Sequence, residues 1–379
     1  MAGWGIPVVD VQMASSNRLI SGLVHLIHRY LIWVIVGSYL VAAVLPGLGL
    51  AIRHASLGQF TLLGSEVNLN LPQLMLATLL FNAGLGVRQD DLARMFTRPR
   101  VLLAGLLGNV LVPLVFIIGI DLPMRTWHNG DEVQQILVGL ALVGSMPIAG
   151  ASTAWAQNAN GNLALSLGLV LLTTFLSPLL TPLVLHAVGF VTSGDYSSDL
   201  HELASDGVVS FLGVWVLLPS VLGILTRRLM GESRYADRRD LLKLVNYLVL
   251  ILLNYSNAAL TLPDALSRHD WDFLALILLI VTALCLIAFT AGYLIANWFH
   301  ADRDSKVSLM FGLGMNNNGT GLVLASVALA NHPPVMLPII FYNLVQHLLA
   351  SIVDRRFHTQ RPEQGVAQPS ARPMPRRQP

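Results

Sequence analysis

Charge, cysteine and any carboxylate placed mid-membrane are what this sequence has little of. Only 12% of its 379 residues are charged, about half the roughly 25% of soluble proteins. The one cysteine, Cys285, sits inside an apolar segment. That excludes a disulfide framework and a cysteine metal site, and leaves a small packing residue. Residues 1–17 carry neither the basic start nor the apolar stretch of a cleavable signal peptide. Every Asp and Glu falls in a loop or at a helix end, so a carboxylate proton relay across the membrane is not expected. No nucleophile–base pair, metal cluster or cofactor motif lies in an apolar segment, which argues against an enzyme. The net charge of +2 gives no reason to expect a nucleic-acid partner.

What the chain has is apolar length. Hydrophobic residues make up 54%, and mean hydropathy is +0.63. Runs of about 20 apolar residues, each long enough to cross a bilayer core, recur throughout. The reading is an all-α polytopic membrane protein with ten transmembrane helices over 30–52, 71–88, 100–121, 134–158, 162–190, 207–229, 240–262, 272–299, 306–331 and 334–353.

Charge tests that count, because basic residues collect on the cytoplasmic side. With ten spans, one side takes Arg18 and Arg29; Arg88, Arg94, Arg98 and Arg100; Arg227, Arg228, Arg234, Arg238, Arg239 and Lys243; Arg303 and Lys306; and the basic tail. Of the 23 Lys and Arg, only Arg53, Arg125 and Arg268 fall on the other side. The loop holding Asp195, Asp199, Glu202 and Asp206 is acidic and lies opposite the basic side. Both termini are therefore expected in the cytoplasm, with the protein in the cell membrane, the inner membrane of a bacterium.

Ten spans divide into two five-helix repeats, 30–190 and 207–353. An odd number per repeat makes the second enter from the opposite face, so the repeats are inverted. Residues 1–29 are expected to lie in the membrane interface, with Leu19, Ile20, Leu23, Val24 and Ile27 on one face. Residues 354–379, rich in Arg, Pro and Gln, are expected to form a disordered cytoplasmic tail.

The fourth span of each repeat is broken. In span 4, Pro147 has no N–H to donate and disfavours helix at Met146. Gly150 lets the chain turn, and Ala151, Ser152 and Thr153 start a new half-helix. In span 9, Gly312, Gly314, Gly319 and Gly321 bracket Asn316, Asn317 and Asn318. Non-helical backbone at membrane depth survives only where protein or a watered cavity encloses it. Interrupted helices in matching positions of two halves point to a transporter's binding site. Half-helix N-termini suit a substrate carboxylate, and freed carbonyls suit a cation. Ordinary kinks or polar packing seams are the simpler alternative.

The remaining polar residues leave two readings open. Asn109 and Ser166 fit either a cation site or helix–helix hydrogen bonds. Asn254, Ser256 and Asn257 either line a pocket or bond neighbouring helices. His347, the one titratable group well inside a span, fits a packing or a proton-linked role. The Ser177-Pro178 and Thr181-Pro182 pairs look like kink sites. Trp127, Trp271 and Trp298 read as interfacial anchors.

Several of these motifs resemble the bile acid:sodium symporter family. Pro147-Ile-Ala-Gly-Ala-Ser-Thr153, then Gly161-Asn-Leu-Ala-Leu-Ser166 and Leu176-Ser-Pro-Leu-Leu-Thr-Pro182, are similar to its span 4–5 signature. Gly84-Leu-Gly-Val-Arg-Gln-Asp-Asp-Leu92 is similar to its span 2 end. Gly314-Met-Asn-Asn-Asn-Gly319 resembles its span 9 crossover. The resemblance implies a panel domain of spans 1, 2, 6 and 7 and a core domain of spans 3–5 and 8–10, with spans 4 and 9 crossing at their breaks.

It also implies Na⁺ as coupling ion. One sodium site would involve Ser152, Thr153, Ser166, Val170 and Gly312. The other would involve Asn109, Gly312, Leu313, Met315 and Asn316. Substrate contacts would lie around Gly150, Ala151 and Asn317, and the two breaks make Ser152, Thr153, Asn316 and Asn318 further candidates. The chain departs from the family at Gly312, where a shared glutamate is usual, and at Thr153 and Val170, where the family carries asparagine and threonine. Asn109 and Asn316 replace glutamine. Losing the acidic ligand weakens any sodium site.

The expected function is secondary active transport of small organic anions, by sodium symport with alternating access between core and panel. A proton-coupled or uncoupled carrier or exporter and a non-transporting solute sensor are the alternatives. The expected partners are the solute and the lipid bilayer, and no obligate protein partner is inferred.

Overall fold

The structure is a computed structural model that describes residues 20–358 apart from His28, Leu63 and Gly64. The expected basic tail beyond 358 and the interfacial segment before Ile20 lie outside the described residues. The protein is an all-helical polytopic membrane protein with almost no sheet.

Its helices, in chain order, are α1 (Ile20–Ile27), α2 (Leu31–Val44), α3 (Gly47–His54), α4 (Leu71–Gly86), α5 (Gln89–Arg94), α6 (Pro99–Met124), α7 (Gly130–Ser145), α8 (Ala151–Asn158), α9 (Leu163–Gly189), α10 (Gly194–Glu202), α11 (Val208–Leu212), α12 (Leu218–Met230), α13 (Glu232–Ala258), α14 (Leu262–Ser267), α15 (Trp271–Trp298), α16 (Arg303–Gly314), α17 (Asn318–Ala328) and α18 (Met336–His358). Among the described residues, six helical stretches are long and apolar enough to cross a membrane: α6, α9, α11–α12, α13, α15 and the stretch containing α18. The number rises to seven if α1 and α2 form one bent span.

Local chemistry explains where the chain departs from uninterrupted spans. The first expected span divides into α2 and α3 at Leu45–Pro46, where the proline cannot donate to the helix ladder. Between α3 and α4 the chain forms an antiparallel hairpin, β1 (Ser56–Leu62) and β2 (Ser65–Asn70), where no strand was expected. Gly58, at φ +118°, sits in an irregularity of its register. Two π-helical turns, Leu203–Gly207 and Gly213–Leu217, flank α11. By contrast α9 runs through both Pro178 and Pro182 without ending. Pro178 leaves the Thr174 carbonyl without its helical donor, and the Ser177 hydroxyl supplies one at 2.8 Å. Helix α18 continues to His358, past the boundary expected at residue 353.

α7 is the centre of the core. Ile136, Leu137, Leu140, Ala141, Leu142 and Val143 are all fully buried, so the helix is apolar on every side. It contacts α6, α9 and α18. Away from this core, α4 and α12 cross with their backbones touching. A Cβ at Gly84 would meet the Ser220 carbonyl oxygen, and one at Gly223 the Phe81 carbonyl oxygen. Small residues at such crossings permit close dispersion contact, which has to replace hydrophobic driving force inside a bilayer.

Gly223→Ala is therefore expected to force α4 and α12 apart and to lower stability by about 1–3 kcal/mol. Thermal unfolding in detergent should show a clear fall in Tm. The control is Gly86→Ala on α4, where nothing lies within 4 Å of the new Cβ and Tm should hardly move.

Candidate functional site

The two breaks lie against each other. α7 stops at Ser145, because Met146 is extended before Pro147. α16 stops at Gly314, followed by an extended Met315. Ile148 and Asn316 then pair as an isolated antiparallel bridge. The Ala149 N–H donates to the Met315 carbonyl at 2.9 Å, and the Asn317 N–H donates to the Pro147 carbonyl at 2.9 Å. Each unwound strand supplies the partner that the other lost with its helix.

Neighbouring side chains satisfy more of the freed backbone. The Thr181 hydroxyl donates to the Ser145 carbonyl (2.7 Å), and the Asn316 amide to the Val143 carbonyl (2.9 Å). The Ile148 N–H donates to the Thr173 hydroxyl oxygen (3.1 Å), and the Asn316 N–H to Oε1 of Gln346 (3.1 Å). The Tyr342 hydroxyl donates to the Gly314 carbonyl at 3.4 Å. Asn317 caps the second half-helix by accepting from the Thr320 N–H at 3.2 Å.

Several enclosed side-chain atoms of the two breaks, and one on α6, are not satisfied. Ser152 Oγ, Asn316 Oδ1, both amide atoms of Asn318, Thr320 Oγ1 and Asn109 Oδ1 are enclosed without a hydrogen-bond partner in the protein. Their residues are at most 4% exposed. An enclosed polar atom without a partner costs about 1–3 kcal/mol, so a group of them marks a place for a ligand or water.

The expected site residues separate by access. Gly150 and Ala151 are exposed, and nothing lies within 4 Å of where a Gly150 Cβ would be. Thr153 and Asn317 are half-buried, while Ser152, Asn316, Asn318 and Met315 are enclosed. Ser166 on α9 reaches Thr153 directly, its hydroxyl donating at 3.1 Å. Val170 lies one turn further on, where its carbonyl accepts from Thr174 at 2.7 Å.

Gly312 and Leu313 have different surroundings. A Cβ at Gly312 would meet Leu169 Cδ1 at 3.1 Å and Ile148 Cδ1 at 3.7 Å. Leu313 packs with Ile148, Leu165, Leu169 and Leu309 in an apolar cluster. Where the family resemblance puts a glutamate, this chain has built hydrocarbon.

The turn after α8 is tied to the start of α16. Ser308 donates to the Asn162 carbonyl at 2.8 Å, and the Asn162 N–H donates to the Asp304 carbonyl at 2.9 Å. Arg98 joins by donating to Ser305 and pairing with Asp302. Burial works to raise the Asp302 carboxyl. Hydrogen bonds from Ser305 and the Arg98 guanidinium outweigh it and hold the group below the usual carboxylate range.

Sequence reasoning missed Gln346, Asn343 and Tyr342 on α18. The signal available was polar residues three apart, hence on one helix face, inside an apolar span. Thr181 was read as a kink site; it serves the broken end of α7.

The sequence model of the SBF-like CPA transporter family matches residues 29–359. The chain belongs to this family. An SBF-like transporter fits the resemblance to bile acid:sodium symporters, and similar proteins extend it. The uncharacterized protein YbaS of Bacillus subtilis is 28% identical over 242 residues, covering 63% of this chain and 75% of its own. The uncharacterized sodium-dependent transporter YocS of the same organism is 24% identical over 292 residues, covering 75% and 83%. The probable chloroplastic sodium/metabolite cotransporter BASS1 of rice is 27% identical over 255 residues, covering 65% and 56%.

Gln346→Leu should leave the Asn316 N–H buried and unpaired, at a cost of about 1–3 kcal/mol. The expected outcome is a lower Tm in detergent. Gln346→Glu, which keeps an acceptor oxygen, should lose less.

Proposed function

We propose that this SBF-like transporter carries small organic anions by secondary active transport, coupled to Na⁺, through alternating access. The observation that carries the reading is the pairing of the two breaks beside enclosed, unpartnered oxygen atoms. Asn109, Ser152 and Asn316 offer neutral oxygens of the kind a hard cation takes. The exposed Gly150–Ala151 turn opens the N-terminus of α8, whose positive dipole end suits a carboxylate. Cation and solute would thus meet at one crossing from its enclosed and accessible sides.

In this reading ten spans form two inverted five-helix repeats, 30–190 and 207–353, in the cell membrane with both termini cytoplasmic. The panel would comprise α2–α3, α4, α11–α12 and α13, and the core α6 to α9 and α15 to α18. Helix contacts support that division: α2, α4, α12 and α13 pack on one another, as do α6, α7, α9, α15, α16 and α18. The names of YocS and BASS1 support sodium as the driving ion.

The hydrocarbon around Gly312 favours a second reading, an uncoupled carrier. Uptake of a carboxylate panel into proteoliposomes separates the two. An inward Na⁺ gradient should give faster uptake than a proton gradient or none, and equal rates in all three would defeat symport.

Gly312→Glu sharpens the test. The carboxyl would displace the flexible end of Leu169, so Tm in KCl should fall. If the oxygens nearby form a cation site, NaCl should restore stability in this variant by more than it stabilises the wild type, because a ligand bound only to the folded state raises Tm. An equal response in both salts would place Gly312 outside any cation site.

A further inference from the structure

Two asparagines of α13, Asn254 and Asn257, are held in a way the crossing does not explain. They are three residues apart, so they share a helix face. Both are enclosed, at 2% and 0% exposure. Each has its oxygen occupied by a donor from α2 or α3. The Tyr39 hydroxyl donates to Asn254 Oδ1 at 3.5 Å, and Arg53 Nη1 donates to Asn257 Oδ1 at 2.9 Å. Each is left with an enclosed NH₂ group that no protein atom accepts from. Ser256, between them, is spent on the Leu253 carbonyl at 3.1 Å.

The supports of this pair are themselves fixed. Asn343 donates to the Tyr39 oxygen at 2.8 Å, and Gln346, which holds the Asn316 N–H, donates to Asn343 at 3.3 Å. Arg53 also donates to the Ser326 carbonyl at 3.2 Å, in the last turn of α17. Arg53 makes no ion pair among the described residues. The other two arginines assigned to its side of the membrane, Arg125 and Arg268, each face an aspartate four residues earlier. A guanidinium held only by neutral acceptors gives the pair a positive surrounding with no fixed counter-charge.

The balance of donors and acceptors here differs from that of the crossing. The unpartnered groups at the crossing are mostly oxygens, with the Asn318 NH₂ beside them, whereas on α13 both unpartnered groups are NH₂ donors, which call for an oxyanion. We propose that Asn254 and Asn257 are specificity-determining residues that bind the oxygens of the solute's carboxylate from the α13 side, with Tyr39 and Arg53 as the positioning residues that turn their NH₂ groups towards it. The inference rests on the organic-anion reading and adds the residues that select charge.

Asn257→Asp and Asn254→Asp test it, since each keeps the shape and the acceptor for Arg53 or Tyr39 but removes the donor. The probes are straight-chain monocarboxylates of two to eight carbons and their primary amides, with binding read as thermal stabilisation of the purified full-length protein. The wild type should prefer at least one carboxylate over its amide. In either variant the apparent affinity for that carboxylate should fall by about tenfold or more, while the amide stays within about twofold. Unchanged carboxylate affinity in both variants, or an equal loss for acid and amide, would overturn the assignment while leaving the anion reading intact. If no carboxylate stabilises the wild type, the anion reading fails and this assignment with it.

Discussion

The structure depends on one constraint: a backbone unwound inside the membrane has to find hydrogen-bond partners in protein. Lipid offers none, and each unmet group there costs several kcal/mol. The chain meets the constraint by bringing its two unwound strands together at Ile148 and Asn316. Thr173, Thr181, Gln346 and Tyr342 then take up backbone groups that the pairing leaves over. α9 and α18 are thereby tied to the crossing by hydrogen bonds as well as by packing. A fold stabilised in this way has its least replaceable contacts where two otherwise separate segments meet.

Satisfaction of the backbone frees the side chains for ligands. At the two breaks the enclosed groups without partners include the oxygens of Ser152 and Asn316, and on α6 that of Asn109; on α13 they are the NH₂ groups of Asn254 and Asn257. Gln346, Asn343 and Tyr39 run between the two places as a chain of hydrogen bonds. That chain runs from α18 to α2 and α13. Leu169 and Ile148 pack at Gly312, so hydrocarbon stands where the family resemblance implies a carboxylate.

Much of this was legible in the sequence, for identifiable reasons. Proline and glycine act locally, so Pro147 and Gly314 announced where α7 and α16 end. Apolar length is additive along the chain, so α6, α9 and α15 fall within a few residues of the expected spans, whereas α13 begins at Glu232, well before its expected start, and the first expected span is split at Leu45–Pro46. The span 4–5 and span 9 motifs carried the family. Partner choice was not legible, because it is set by tertiary distance. Nothing near Thr181 in sequence says that its hydroxyl meets Ser145, or that Gln346 meets Asn316. The Asn254–Asn257 pair was visible as polar residues in a span, but the donors from Tyr39 and Arg53 that orient it come from more than 200 residues away. The β1–β2 hairpin was hidden by its shortness, since two short strands beside apolar helices leave little periodic signal.

Whether the two breaks act as one site can be measured directly by a double-mutant cycle on sodium affinity. Ser152 belongs to the first break and Asn316 to the second, and Na⁺-dependent stabilisation of the purified protein reports the affinity. If both oxygens hold one ion, Ser152→Ala and Asn316→Ala each weaken sodium binding, and together they do so by less than the sum of their separate effects, with a coupling of about 0.5 kcal/mol or more. Strictly additive losses, or sodium affinity unchanged in both single variants, would contradict a shared site at the crossing.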